Sequence, residues 1–291
     1  MTILDGKKTA QDLKEEIKVA VSLIKKSGKR PPHLAAVLVG DDGASLTYVG
    51  SKVRSCDYVG FDSTLIKLDE STTEETLLKK IDELNQDDQL DGYIVQLPLP
   101  KHIDEEKILL SIDPTKDVDG FHPSNFGRMA LEMDAFIPAT PFGIIELLER
   151  YKIETSGKHC VVVGRSHIVG RPISILMSQK CPAGNATVTL AHSRTQNLAE
   201  LTKNADIVVM ALGIPEYLTA EMVKEGATII DVGITRVADA NHPKGYVIKG
   251  DVAYDEVAQK AAAITPVPGG VGPMTIAMLL KNTLFAYQRK G

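Results

Sequence analysis

Tyr48 and Lys52 stand four residues apart in a stretch whose apolar spacing predicts a helix over residues 45–59, ended by Gly60. Four residues is about one helical turn, so the phenol and the ammonium share a face. For an arbitrary pair the ordinary reading is a snorkelling lysine beside an interfacial tyrosine. Two features favour chemistry here. The helix follows the carboxyl end of a predicted strand at 34–39, the edge where doubly wound sheets bind ligands. Gln96 stands at the carboxyl end of another predicted strand, 92–97, just before Pro98. A lysine in such a crevice loses water, which lowers its pKa and lets it act as a base or proton shuttle. Asp117, Asp119 and His122 follow in KDVDGFHP, where spacing alone points to a turn or a helix cap rather than a site.

A second stretch with chemical potential is CVVVGRSHIVGRP, residues 160–172. An apolar run ends on Gly164, turns, and enters a helix with Pro172 in its first turn. Such a turn aims free backbone N–H groups and the positive end of a helix dipole at the loop, which makes an anion site suited to a dinucleotide pyrophosphate. The spacing matches neither G-x-G-x-x-G nor G-x-x-x-x-G-K-[ST]. Past the next predicted strand, 187–190, the chain reads Ala191-His192-Ser193-Arg194-Thr195, without the carboxylate that usually holds the ribose of NAD. Arg165, Arg194 and two hydroxyls stand there instead, donors suited to an extra phosphate, so NADP is favoured over NAD. Tyr-x-x-x-Lys also occurs in short-chain dehydrogenases, but there it follows the nucleotide loop, whereas Tyr48 precedes Gly164 by more than a hundred positions.

The elements that must position these groups alternate. A helix capped by Thr9, with Asp12 at the capping-box position, carries Leu13, Ile17, Val21 and Ile24 as one stripe up to Gly28. Strands are expected at 34–39, 64–68 and 92–97, and helices at 45–59, 73–84 and about 104–112. Residues 113–138 break the pattern and read as a long irregular, functional segment. Thr140 as cap and Pro141 at N1 open a helix over 142–151, the bridge to a second domain. Further strands are expected at 160–163, 187–190, 207–210, 228–231 and 262–266, followed by PVPGGVGPM and a terminal helix opened by Pro273. Strand–helix alternation means α/β architecture with parallel sheets and right-handed crossovers. The expected domains, both doubly wound and flanking a cleft, are 1–139 plus 272–291 and a Rossmann-type dinucleotide domain at 140–271.

Composition limits the classes. At 291 residues, 43% hydrophobic, 24% charged and net −5, the chain is an ordinary globular protein with no electrostatic reason to bind nucleic acid. The first residues lack the apolar core of a signal peptide, and no run is long enough to span a bilayer. Cys56, Cys160 and Cys181 are widely spaced and odd in number, which fits reduced core residues in a cytoplasm. No Cys/His cluster suggests a metal.

Several stretches together resemble one family: YVGSK, VQLPLP, KDVDGFHP, PATPFG, VVGRSHIVGRP, ATVTLAHSRT, DVGI, KGDV and PVPGGVGPMT. In order and spacing, over nearly the whole chain, they resemble the bifunctional methylenetetrahydrofolate dehydrogenase/methenyltetrahydrofolate cyclohydrolase family. The resemblance implies NADP on the carboxy-terminal domain, a terminal helix that packs back on the first domain, and a homodimer. It implies Lys52, with Tyr48 and Gln96, for the cyclohydrolase, and Asp119 as the holder of the pterin ring. Cofactor contacts are implied at Gly164, Arg165, Ser166, Ile168, Ser193, Arg194, Gly213, Ile234 and Thr140. Reduced-folate contacts are implied at Tyr48, Lys52, Val95, Gln96, Leu97, Asp119, Pro268, Gly269, Gly270 and Ile276. One departure is Ala139, where cysteine is common and packs rather than reacts.

The chemistry agrees. Loss of hydride from the methylene carbon leaves a cation spread over two nitrogens, so that step needs positioning more than a strong base. Hydrolysis of the resulting amidinium does need proton transfers, and Lys52 is the group for them. The rival readings are a dehydrogenase of the same fold without the hydrolase and using NAD, a shikimate-type dehydrogenase, and a non-catalytic nucleotide-sensing module. The Tyr48, Lys52, Gln96 and Asp119 set argues against the last, since a sensor has no use for a proton shuttle.

Overall fold

The computed structural model describes residues 1–243 and 245–290. In chain order it runs β1 (Thr2–Ile3), α1 (Gly6–Lys26), β2 (His33–Val39), α2 (Gly43–Val59), β3 (Asp62–Leu68), α3 (Glu74–Gln86) and β4 (Gly92–Val95). Next come α4 (Glu105–Ser111), α5 (Pro123–Ala130), α6 (Ala139–Arg150), β5 (His159–Val163), α7 (Gly170–Ser178), β6 (Thr187–Ala191), α8 (Leu198–Lys203) and β7 (Ile207–Met210). A 3-10 turn at Ala220–Met222 leads to β8 (Thr228–Asp231), β9 (Thr235–Ala238), β10 (Tyr246–Lys249), α9 (Tyr254–Val257), β11 (Ala263–Ile264) and α10 (Val271–Lys290). Among the described residues no helix is long and apolar enough to cross a membrane.

Contacts divide the chain into two compact units. The first is Gln11–Ala139 with the chain from Ile276 onward; the second is Met1–Ala10 with Thr140–Thr275. The expected boundaries, which also include Lys244 and Gly291 outside the described residues, differ chiefly at the start. Residues 1–10 go with the second unit because β1 pairs in parallel with β11, Thr2 opposite Ala263.

The first unit has a parallel sheet in the order β3-β2-β4. From β2 the chain goes to one side for β3 and then to the other for β4, so the carboxyl ends of β2 and β4 flank a topological switch point. Leu34 and Ala36 face one core with Ile17 and Val21 of α1, Val49, Cys56 and Val59 of α2, and Leu280 and Leu284 of α10. Ala35, Val37 and Val39 face the other with Leu77 and Ile81 of α3 and Ile108 of α4. Alternate residues of one strand thus serve two layers, which is why β2 is apolar throughout. Asn282 of α10 donates to Val118 O at 2.8 Å and Ile137 O at 2.9 Å, fixing the terminal helix on this unit.

The second unit has a six-stranded parallel sheet in the order β1-β11-β8-β7-β5-β6, with β9 and β10 as a separate antiparallel pair. Here the switch point lies between β5 and β7.

Several expected boundaries move. α1 begins at Gly6 because Asp5, not Thr9, caps it: Asp5 Oδ1 accepts from Lys8 N at 2.8 Å. Thr9 lies inside the helix, its hydroxyl donating to Asp5 O at 2.8 Å. The segment 113–138 is not irregular throughout, since α5 forms on an N-cap by His122 Nδ1 and Pro123 at the first position. α6 starts at Ala139, so Thr140 is a helical residue whose hydroxyl meets Thr275 Oγ1 at 2.9 Å, not a cap. β4 stops at Val95 rather than 97, although Gln96 N still donates to Val37 O at 2.9 Å. β11 covers only Ala263–Ile264, and α10 opens at Val271, two residues before Pro273.

Candidate active site

Lys52 sits on the wrong face for an ordinary lysine. Val49, Lys52, Cys56 and Val59 follow helical spacing along the buried stripe of α2 and are 1%, 5%, 1% and 1% exposed. The helix is fixed at both ends: Asp42 Oδ2 accepts from Ser45 N at 2.8 Å, and Gly60 takes a left-handed φ of 84°. Lys52 Nζ lies 4.6 Å from the centroid of the Tyr48 ring and donates to Gln96 Oε1 at 3.2 Å. Gln96 is itself oriented, because its Nε2 donates to Leu97 O at 2.7 Å and so leaves the oxygen for the lysine.

Burial pulls the Lys52 ammonium below the ordinary lysine value, and the Asp119 carboxylate pulls it part of the way back. The converse holds at Asp119: burial raises its carboxyl and the Lys52 charge opposes that. Each is the other's counter-charge in a dry setting. The neighbouring Cys56 thiol is pushed up to about 12 by burial and stays inert packing.

Asp119 owes its place to its neighbours in KDVDGFHP. Lys116 Nζ donates to Leu84 O, Asn85 O and Asp87 O at 2.8, 2.8 and 2.7 Å, closing the end of α3. Asp117 accepts from Phe121 N at 3.2 Å, His122 N at 2.8 Å and Asn125 Nδ2 at 2.9 Å. Asp117 therefore does the turn work that spacing suggested, with its carboxyl raised to about 6, mainly by burial. Gly120 has a φ of 73°, and a Cβ there would stand 2.7 Å from Pro138 N. Val95 and Leu97, expected to meet folate, pack their side chains in or against the core of the first unit.

In the second unit Gly164 has a φ of 125°, and a Cβ on it would stand 2.2 Å from Ala211 O. The residue after β5 and the residue after β7 thus touch backbone to backbone at the switch point. Gly170 opens α7 with equal economy, since its Cβ would lie 2.0 Å from Gly164 O. Ser166 Oγ accepts from Val169 N and Gly170 N at 3.2 and 3.3 Å. Arg165, Ser166, Ile168, Ser193, Arg194, Gly213 and Ile234 are exposed around these strand ends. A hollow in the same unit is lined by 231–234, Ile248 and 266–273, which includes the expected folate-facing Pro268, Gly269 and Gly270. Ile276 is half-buried on α10, in the first unit. Sequence reasoning did not single out Asp231 and Asp251, two buried carboxylates beside this hollow and the strand ends. Their only signal was a glycine in each motif, DVG and GDV.

Known proteins resemble the chain over its full length. Residues 4–119 match the tetrahydrofolate dehydrogenase/cyclohydrolase catalytic domain, and 138–291 match the NAD(P)-binding domain of the same family. The chain is 73% identical to the bifunctional protein FolD of Flavobacterium johnsoniae, over 98% of this chain and 97% of that one. A solved bifunctional FolD, methylenetetrahydrofolate dehydrogenase/cyclohydrolase from Campylobacter jejuni, superposes with a TM-score of 0.94 at 45% identity, all of both chains covered. The methylenetetrahydrofolate dehydrogenase-cyclohydrolase of Trypanosoma brucei, solved with NADP and an inhibitor, gives 0.94 at 38%, covering 100% of this chain and 98% of that one. With both domains matched in order and this identity sustained end to end, the chain belongs to the tetrahydrofolate dehydrogenase/cyclohydrolase family.

Proposed function

We propose that the chain oxidises methylenetetrahydrofolate to methenyltetrahydrofolate with NADP and hydrolyses the product to formyltetrahydrofolate, with Lys52 moving the protons of the second step. One observation carries the assignment to Lys52: a buried amine, held at 3.2 Å by Gln96 and electrostatically coupled to Asp119, at the switch point of the first sheet.

The second unit fits NADP on its own geometry. Gly164 and Gly170 keep the turn after β5 free of side chains, and Arg165, Ser193 and Arg194 offer donors where a carboxylate would repel a phosphate. Those residues, with Ser166, Ile168, Gly213, Ile234 and Thr140, would hold the dinucleotide. When bound, NADP supplies the acceptor for the hydride that leaves the methylene carbon. Within the first unit Asp119 takes the pterin ring, Tyr48 and Gln96 meet the folate through their side chains, and Val95 and Leu97, whose side chains face the core, through their backbone.

In the hydrolytic step water adds to the amidinium carbon and loses a proton, and one ring nitrogen leaves and gains one. Burial lowers the Lys52 pKa and brings the neutral amine within easier reach than in an exposed lysine, so Lys52 can accept the first proton and return the second. Gln96 fixes its amine, and the Tyr48 ring stabilises it while it is charged. The enzyme works in the cytoplasm as a homodimer, supplying one-carbon units for purine, methionine and histidine synthesis.

The test is the decay of methenyltetrahydrofolate absorbance without cofactor, followed by methylenetetrahydrofolate oxidation with NADP and then with NAD. Decay well above the buffer rate, and oxidation faster with NADP, is the expected result. Oxidation with no hydrolysis would leave a dehydrogenase alone, and no turnover with any reduced folate would refute the assignment.

A further inference from the structure

Asp231 and Asp251 lie outside the set proposed to touch cofactor or substrate. Asp231 ends β8 and is 3% exposed; Asp251 follows β10 and is 0% exposed. Asp231 Oδ1 accepts from Gly233 N at 2.9 Å and from Asp251 N at 2.9 Å, and its Oδ2 accepts from Val252 N at 3.0 Å. Asp251 Oδ2 accepts from Leu212 N at 2.6 Å and Gly213 N at 3.0 Å. Backbone N–H groups of three separate segments thus end on two side chains. Thr235 Oγ1, donating to Gly213 O at 3.4 Å, adds a direct link between two of them.

The glycines of both motifs follow from this packing. A Cβ on Gly233 would stand 2.3 Å from Asp251 Oδ1, and one on Gly250 would stand 1.9 Å from Asp231 Oδ2. DVG and GDV are therefore two halves of one arrangement, each glycine making room for the other half's carboxylate. The arrangement is costly. Burial raises the Asp231 carboxyl to about 6, and Asp251 Oδ1 is buried with no hydrogen-bond partner among the described residues. Burying such groups costs stability that their hydrogen bonds offset only in part. Here the segments they hold, 212–213 and 232–234, follow the carboxyl ends of β7 and β8, the ligand edge of the sheet.

We propose that Asp231 and Asp251 are positioning residues for the dinucleotide, fixing the backbone at 212–213 and 232–234 so that Gly213 and Ile234 meet the cofactor already in place. The proposal rests on the reading of those two residues as cofactor contacts. Its energetic content is preorganisation: a loop ordered in advance is not ordered at the expense of binding.

Asp251→Ala leaves the Leu212 and Gly213 N–H groups without acceptors. Asp251→Asn keeps a carbonyl oxygen facing them and changes only the atom that no donor meets. NADP affinity is measured by calorimetry, with the KM for NADP, kcat for oxidation, and methenyltetrahydrofolate hydrolysis without cofactor. Asp251→Ala is expected to weaken NADP at least tenfold and raise its KM in step, with kcat within threefold and hydrolysis within twofold of wild type. Asp251→Asn is expected to stay within threefold throughout. Unchanged NADP affinity in Asp251→Ala, hydrolysis falling as far as NADP affinity, or Asp251→Asn as weak as Asp251→Ala would each overturn the proposal. Should Asp251→Ala not fold, Asp231→Asn, which loses only the Val252 bond, decides: weaker NADP with intact hydrolysis supports the proposal, and unchanged affinity overturns it. A wild type that binds no NADP would instead refute the cofactor reading, and the proposal with it.

Discussion

Replacing Lys52 by methionine tests its part in catalysis and its part in stability together. The lysine stem already packs between Val49 and Cys56, so methionine keeps most of the apolar contact and deletes the one polar atom. General acid–base catalysis by one positioned group contributes roughly 10² to 10⁴ in rate, and hydrolysis should fall by that factor. Oxidation moves no proton and should retain a measurable rate. Stability should fall. A cation is removed from a site only 5% exposed, but the change takes away one partner alone and leaves the Asp119 charge and Gln96 Oε1 uncompensated. Breaking a fully buried pair in this way costs about 3–5 kcal/mol, and the loss here is smaller because Asp119 is half-buried and can take up a proton. The pH dependence fixes the sign. Lys52 is depressed below 10.5 in the folded state, so between its folded value and 10.5 the unfolded chain binds the extra proton. Wild-type stability therefore rises with pH in that window, and Lys52→Met lacks that rise. Cofactor-free methenyl decay and thermal unfolding at several pH values measure both halves. Hydrolysis within threefold of wild type, or a Tm above that of wild type at neutral pH, would refute the reasoning.

Gly164→Ala places a Cβ 2.2 Å from Ala211 O at a φ of 125°. The expected cost is on the order of 2 kcal/mol by urea unfolding, with dinucleotide affinity down at least tenfold and cofactor-free hydrolysis spared. Arg194→Ala removes a charged donor worth about 1.5–3 kcal/mol to a phosphate, so calorimetry should show NADP weakened ten- to hundredfold and NAD barely changed. Asp117, about 6 in the folded state against an ordinary 3.8, is a penalty in full force above pH 6 that is relieved as pH falls towards 4. Each such group adds at most about 1.4 kcal/mol of stability per pH unit of acidification in that window, and Asp117→Asn should remove its share from urea midpoints compared at pH 7 and pH 5.

The strands at 207–210 and 228–231 could be read to the residue because both faces of each are covered, and a continuous apolar run bounded by polar residues has one interpretation. The β9–β10 pair left no such mark, since its half-exposed TRVA and YVIK lack a buried face. β1 is two residues long and exists only through β11, a partner some 260 residues away that no local pattern can announce. α5 was hidden by His-Pro, which reads as a break until the histidine ring is seen to be the cap. At the site, the position of Lys52 and Gln96 at strand ends was legible from topology alone. Asp119 was not, because spacing rightly identified a turn but could not tell which aspartate builds it and which faces the lysine. Asp231 and Asp251 escaped for a related reason: what a buried carboxylate accepts depends on backbone brought in from elsewhere in the chain.

The two sheets solve one topological problem with opposite residue types. In each, a leading strand (β2 or β5) is flanked by the next strand on one side and the next but one on the other, which leaves a crevice between the leading strand and the latter. At the first crevice the chain places large side chains: Lys52 on the helix after β2, and Gln96 just past β4. They bury polar atoms, and that burial lowers the Lys52 pKa towards the range where an amine exchanges protons readily. At the second it places Gly164 and Ala211, close enough that no side chain larger than hydrogen fits on the former. What remains there is backbone N–H and a helix start, which bind an anion without any titration. Lysine at position 164 would meet the Ala211 carbonyl, and glycine at position 52 would leave Gln96 without its partner and a hole between Val49 and Cys56. The division between proton chemistry and dinucleotide binding is thus fixed less by the shared topology than by the side-chain volume allowed at each crevice.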